Sequence, residues 1–192
     1  MVVATGHRRK TKETTMFNSG NSIGAFRGPW GVRVEIDQSL LMLVGLLVYL
    51  SLGSSITSGL VFAGMLIVSI FLHEMGHAWG CLIQGVPVRR VVLFGGGGFC
   101  EHARAPSQRE QEFIVAMGPI VNLILWALAG IVSWAIWAWI EADPVRAVTM
   151  FRPIMQIDYY LGVFAWLNLA LFAFNMIPVQ PLDGGKLFHH LL

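Results

Sequence analysis

Long apolar stretches, separated by short polar segments, dominate the chain beyond residue 38. Stretches of this length and hydropathy are typical of helices that cross a bilayer, which need about 17–25 apolar residues. The third is long enough to be tilted or broken near Gly118 and Pro119. We therefore predict an all-α polytopic membrane protein with about four transmembrane helices, at residues 40 to about 56, 59–83, 113–140 and 159–177.

Two shorter segments have the pattern of β structure. Residues 30–37 alternate apolar and polar side chains, as a strand does, and predict a short membrane-associated β segment. Residues 86–94, which precede four glycines, fit an exposed strand edge, a re-entrant loop or a flexible turn. Because Thr, Ser, Gly and Asn are frequent near the N-terminus, we expect a flexible cytoplasmic segment at residues 1–29 and a folded core at residues 30–192.

Composition and charge support a multi-pass protein of the cell membrane. The residues are 55% hydrophobic and only 12% charged. Since a length of 192 residues suits one domain of a few spanning helices, we expect no separate soluble module. Of the 13 Lys and Arg residues, 11 fall in the N-terminal segment, the loop after the second helix and the C-terminal tail. This positive-inside bias predicts that both termini face the cytoplasm. We expect the lipid bilayer as a partner and no nucleic acid, and the oligomeric state stays open.

The second predicted helix carries three ionisable side chains within five positions: His73, Glu74 and His77. Such groups are costly inside a bilayer and usually mark a functional site. The HExxH spacing puts two imidazoles one turn apart on one helix face, where both can reach a single metal ion. Glu74 lies about 100° further round the helix, which places it to act on a water at the metal.

Depth in the membrane indicates a third ligand. At 1.5 Å per residue, His73 lies roughly 20 Å beyond Gly59 and roughly 10 Å from the cytoplasmic edge. The fourth helix runs towards the same side and leads into Asp183, and Asn122 of the third helix lies at a similar depth. Asp183 is therefore the favoured third ligand. A helix cap at Asp183 and a later carboxylate, Glu101, remain alternatives.

The remaining polar residues give weaker indications of a functional site. Cys100, Glu101 and His102 could bind a metal, but adjacent positions of a strand or loop point in different directions. Cys81 and Cys100 both lie on the predicted cytoplasmic side, where a disulfide is not expected. Asn168 is expected to serve helix packing rather than catalysis.

Three motifs together resemble the site-2 protease family of intramembrane metalloproteases: HEMGH at residues 73–77, GPIVN at 118–122 and NMIPVQPLDGG at 175–185. The resemblance covers about residues 30–190. It implies His73, His77 and Asp183 as Zn²⁺ ligands, Glu74 as the general base, and Asn122 and Asn175 near the substrate or the developing oxyanion.

The resemblance also implies an activity. The chain would be a zinc endopeptidase that hydrolyses peptide bonds in or near transmembrane segments of other membrane proteins, as in regulated intramembrane proteolysis. The alternative is a non-proteolytic zinc-binding membrane protein, such as a metal transporter or a chaperone subunit, which needs the ligands but not Glu74. The chain ends nine residues after Asp183, where many members of the family continue, so it is either a minimal member or truncated.

Overall fold

The computed structural model describes residues 22–53 and 55–189. Within these ranges the chain is mostly helical and carries one small sheet, which confirms the predicted fold class. The elements are, in chain order, β1 (Ser22–Arg27), β2 (Arg33–Asp37), α1 (Gln38–Leu50), α2 (Ile56–Ile83), β3 (Val88–Phe94), β4 (Gly97–His102), α3 (Gln108–Glu141), α4 (Pro144–Thr149), α5 (Phe151–Asn175) and α6 (Asp183–His189).

Three of the described helices are long and apolar enough to cross a membrane: α2, α3 and α5, with 28, 34 and 25 residues. The expected first span is shorter than predicted, since α1 has 13 residues and ends at Leu50. Ser51 ends it by donating its hydroxyl to the Leu47 carbonyl, 2.8 Å away. A Cβ on Gly59 would lie 2.7 Å from Ser51, so the start of α2 packs closely on this turn. In α3 the helix continues through Pro119 without a break.

The sheet has the strand order β1-β2-β3-β4, with β1 and β4 at its edges. The two outer pairs are antiparallel, and β2 pairs parallel with β3 through the connection that α1 and α2 provide. The predicted strand at residues 30–37 begins only at Arg33, because a 3-10 turn occupies Pro29–Gly31. Residues 86–94 supply β3, which lies inside the sheet, so the exposed edge on this side is β4 rather than β3.

The N-terminal boundary also differs from the expectation. The predicted flexible segment includes residues 22–27, but these form β1 and pair with β2, with Phe26 and Val34 opposite each other in the register. Residues 1–21 of that segment lie outside the described part of the chain.

The sheet packs on the second half of α2. Val34, Val91 and Leu93 of the sheet form one apolar cluster with Ile70 and Met75 of the helix. On another face of α2, the Asn168 amide of α5 donates to the Ser69 hydroxyl, 3.0 Å away, as expected of a helix-packing contact. His73, Glu74 and His77, which this half of α2 carries, are therefore buried within the protein.

Candidate metal and catalytic site

Glycines bring α3 close to the histidines of α2. A Cβ on Gly76 would lie 2.7 Å from the Met117 carbonyl oxygen, and one on Gly80 would lie 3.2 Å from Ile114 Cα. Across the interface, a Cβ on Gly118 would collide with the imidazole of His77. The glycines of the HEMGH and GPIVN motifs therefore let two helices meet at backbone distance, with the imidazoles between them.

Three ligand atoms converge beside α3. His73 Nε2 lies 3.1 Å from His77 Nε2 and 3.1 Å from Asp183 Oδ2, and His77 Nε2 lies 3.2 Å from the same oxygen. All three side chains are buried. Tetrahedral ligands about 2.0–2.1 Å from a zinc ion stand roughly 3.3 Å apart, so the triangle has nearly the size that zinc requires.

The hydrogen bonds of the two imidazoles show why a cation fits here. His77 Nδ1 lies 2.8 Å from the Ile114 carbonyl oxygen, which can only accept, so Nδ1 carries the proton. His73 Nδ1 faces the Asn122 amide oxygen at 2.9 Å, which assigns the same tautomer. In neutral rings both Nε2 atoms then present lone pairs, next to a carboxylate oxygen. One added proton would satisfy one of these contacts, whereas a metal ion satisfies all three.

Asp183 begins α6, directly after the turn that follows α5. A Cβ on Gly185 would lie 2.5 Å from the Val179 carbonyl carbon, so only glycine allows the turn to fold back this closely. The second carboxylate oxygen of Asp183 accepts from Lys186 Nζ at 3.3 Å. Burial opposes ionisation of the Asp183 carboxyl, and the positive charge of Lys186 favours it.

Glu74 lies beside the triangle but outside it. Its side chain is buried, and its Oε2 has no hydrogen-bond partner among the described residues. The edge strand β4 covers it, since a Cβ on Gly98 would lie 2.5 Å from Glu74 Cγ. Both histidines and Glu74 line a cavity of about 500 Å³. A buried carboxylate with a free oxygen in a cavity is suited to accept a proton from a water held there.

The two asparagines differ in their contacts. Asn122 is fully buried, and while its oxygen faces His73, its Nδ2 has no partner within the described part of the chain. Asn175 donates its amide to the Leu171 carbonyl of its own helix, at 3.0 Å. Both line the cavity. Asn122 thus orients a histidine, and a role for either residue near substrate or oxyanion stays a prediction.

Glu101, the alternative third ligand, points elsewhere. It lies on β4 and pairs with Arg89 at 2.9 Å and Arg90 at 2.6 Å. A register shift between Val88 and Arg90 brings both arginines to this one carboxylate. The hydrogen bond from Arg90 lowers the pKa of Glu101, burial opposes it, and Arg89 adds to the lowering. The structure therefore favours Asp183 over Glu101 beside the histidines.

Sequence reasoning missed one member of a second cluster. Cys100 and His102 do lie together, but Glu101 points away from them and Cys81 of α2 takes its place. The available signal was the spacing of four residues from His77 to Cys81, which continues one helix face. That spacing could not show which strand would lie against Cys81.

Comparisons with known proteins find a family and relatives that match most of the chain. Residues 61–192 match peptidase family M50. A Synechocystis sp. protein whose name describes a zinc metalloprotease is 30% identical over 176 residues, covering 85% of this chain and 42% of that protein. A zinc metalloprotease of Methanocaldococcus jannaschii is 27% identical over 162 residues, covering 84% of this chain and 43% of its own. The chain thus spans less than half the length of these relatives.

A solved structure is similar as well. The site-2 protease from Methanocaldococcus jannaschii superposes with a TM-score of 0.65 at 25% identity, over 88% of this chain and 70% of that one. The match to the family covers more than half of the present chain and includes His73, His77 and Asp183. The chain therefore belongs to peptidase family M50, the site-2 protease family.

Proposed function

We propose that this chain is an intramembrane zinc endopeptidase that hydrolyses peptide bonds in or near transmembrane segments of other membrane proteins. The observation that carries the proposal is the convergence of three acceptor atoms, from His73, His77 and Asp183, beside the buried carboxylate of Glu74. Two imidazoles and one carboxylate are a ligand set typical of catalytic zinc, with a fourth position left open. Bound zinc would supply Lewis-acid polarisation of a carbonyl and lower the pKa of water to about 7.

The residues of the chain would divide the remaining work. Glu74 takes a proton from the attacking water and delivers it to the leaving amine. The Asn122 oxygen and the Ile114 carbonyl hold the tautomers of His73 and His77, so that both Nε2 atoms stay available. Asn175 lines the cavity, where we propose that it contacts the substrate or the developing oxyanion.

The substrate must be partly unwound, because a helix hides its peptide bonds in internal hydrogen bonds. The edge strand β4 runs along the cavity, since Gly97, Gly98 and Phe99 line it. An unwound segment could pair with that edge and reach Glu74, which Gly98 covers. The positive-inside bias further supports a site that opens towards the cytoplasm, with both termini on that side.

The decisive experiment is Glu74→Gln, which removes the base but keeps the size of the side chain. We expect the purified variant to retain its zinc and to cleave a reconstituted membrane-helix substrate at least about 10²-fold more slowly. Zinc content and cleavage rate are measured in the same liposomes. Glu141→Gln, the same change at the exposed end of α3, is the matched control and should cleave at the wild-type rate.

Two results would contradict the proposal. Equal cleavage by Glu74→Gln would exclude Glu74 as the general base. A wild-type chain that binds zinc but cleaves no membrane-helix substrate would favour the non-proteolytic alternative.

A further inference from the structure

A second group of potential ligands lies one helical turn from the histidine pair. Cys81, Cys100 and His102 each offer one ligand atom, and these atoms all lie within 4.8 Å of one another. Cys81 belongs to α2 and is fully buried, whereas Cys100 and His102 belong to β4 and are half-buried. Both cysteines are free thiols.

The strand geometry explains why these three side chains meet. Cys100 and His102 are two positions apart on β4 and share the face that lies against α2. Glu101, between them, faces the other way and pairs with Arg89 and Arg90. On the α2 side, Cys81 and Cys100 pack in an apolar cluster with Val86 and Ile114. The contact is therefore part of the packing of the sheet on the helix.

We propose that Cys81, Cys100 and His102 form a second metal site, for Zn²⁺ or a similarly thiophilic divalent ion. Two thiolates with one imidazole are a known zinc ligand set that leaves a fourth position open. Oxygen-preferring ions such as Mg²⁺ and Ca²⁺ are disfavoured by this donor set. Each thiol loses its proton to solvent as its sulfur binds the ion.

The surroundings leave access for an ion and for a water as its fourth ligand. Cys100 and His102 line the same cavity of about 500 Å³ as Glu74 and the histidine pair, so an ion and a water can enter from it. Zinc ligands stand roughly 3.3–3.8 Å apart, so the present separations close with small side-chain rotations. An ion there would tie the edge strand to α2 next to Gly98, which covers Glu74. The proposal goes beyond proteolysis and does not depend on it.

Cobalt substitution tests the site directly, because only thiolate ligands give a strong near-ultraviolet charge-transfer band with Co²⁺. The full chain is purified in detergent under reducing conditions, stripped of metal and titrated with Co²⁺. We expect two equivalents to bind and the thiolate band to form. Cys81→Ser and Cys100→Ser should each remove the band and lower the stoichiometry towards one. Asp183→Ala should keep the band while losing the other equivalent.

A second measurement does not depend on any variant. Zn²⁺ should protect Cys100, the half-buried thiol, from alkylation in the wild-type chain by at least about tenfold in rate, and a chelator should reverse the protection. The proposal is overturned if the band is missing while both thiols titrate as free, or if serine at both positions leaves the stoichiometry unchanged. A disulfide between the two thiols that persists under the reducing conditions of purification would overturn it as well.

Discussion

The histidine cluster (His73, His77 and Asp183) and the thiol cluster (Cys81, Cys100 and His102) share one face of α2 but differ in how their ligands are held. In the histidine cluster all three side chains are buried, and each imidazole has a fixed partner for its second nitrogen. In the thiol cluster two of the three are half-buried and stand on an edge strand. The first is therefore preorganised for an ion, and the second needs its strand to adjust.

This difference has an energetic consequence. A site whose ligands are already oriented loses less conformational freedom when an ion binds, so the histidine cluster should bind zinc more tightly than the thiol cluster does. Substitutions at one cluster should leave the metal affinity of the other cluster largely unchanged, because the two clusters share no ligand. Variants of either cluster test whether the two bind metal independently. The largest loss of zinc affinity is expected for a substitution at Asp183.

Asp183→Ala should have the largest effect on the histidine cluster. The substitution removes one of three protein ligands and leaves only the two imidazole nitrogens to bind the ion. Zinc affinity should therefore fall at least about 10²-fold, and cleavage should stop. Zinc content after dialysis against a weak chelator measures the change. Unchanged zinc content would contradict Asp183 as a ligand, and a lost thiolate band would contradict the independence of the clusters.

Gly118→Ala tests the close approach of α3. The added methyl group would collide with the His77 imidazole, so we expect a stability loss of about 1–3 kcal/mol and at least about tenfold weaker zinc binding. Thermal unfolding in detergent and zinc titration measure the two effects. Gly130→Ala lies on the same helix with nothing within 4 Å of the new methyl group, and should be neutral or stabilising by up to about 1 kcal/mol.

Asn122→Ala separates orientation of a ligand from helix packing. Losing the acceptor for His73 should weaken zinc binding about 10–100-fold while the three ligands stay in place. The matched control is Asn168→Ala, an equally buried asparagine that donates to Ser69 between α5 and α2. It should cost about 0.5–1.5 kcal/mol of stability and leave zinc affinity unchanged. Equal zinc affinities for both variants would refute the orienting role.

Glu101→Gln should have the smallest effect and act only on the strand that carries the thiol cluster. The pKa of Glu101 is lowered in the folded state, so its ion pairs with Arg89 and Arg90 stabilise the folded protein. This stabilisation is fully present at a pH above the ordinary carboxyl pKa. It is lost as the pH falls through the lowered pKa. The variant should be less stable by about 0.2–1 kcal/mol near pH 7, and the difference should shrink at a second, acidic pH below the ordinary carboxyl range. Melting temperatures at both pH values test this, and a pH-independent difference would contradict it.

Part of this arrangement could be predicted from the sequence. Hydropathy located α2, α3 and α5, because apolar helices of that length are rare outside membranes. Matching depths favoured Asp183, which the structure places beside both histidines. Both inferences depend on features that are local in the chain or set by the bilayer.

The remainder depends on contacts between distant elements. The end of α1 follows from Ser51 and its packing on Gly59, although the apolar run continues to Leu52. The strand β4 is rich in glycine and has a weak pattern, so its position against Cys81 was not evident. Likewise, nothing in the motif GPIVN shows that the oxygen of its asparagine faces an imidazole.

One face of α3 contacts the imidazoles of both His73 and His77. Ile114, Gly118 and Asn122 follow one another at intervals of four residues and therefore lie on one face of α3. This face carries the carbonyl that accepts from His77, the glycine that leaves space for both rings, and the amide oxygen that faces His73. A rotation of α3 about its axis would therefore disturb the contacts of both rings together.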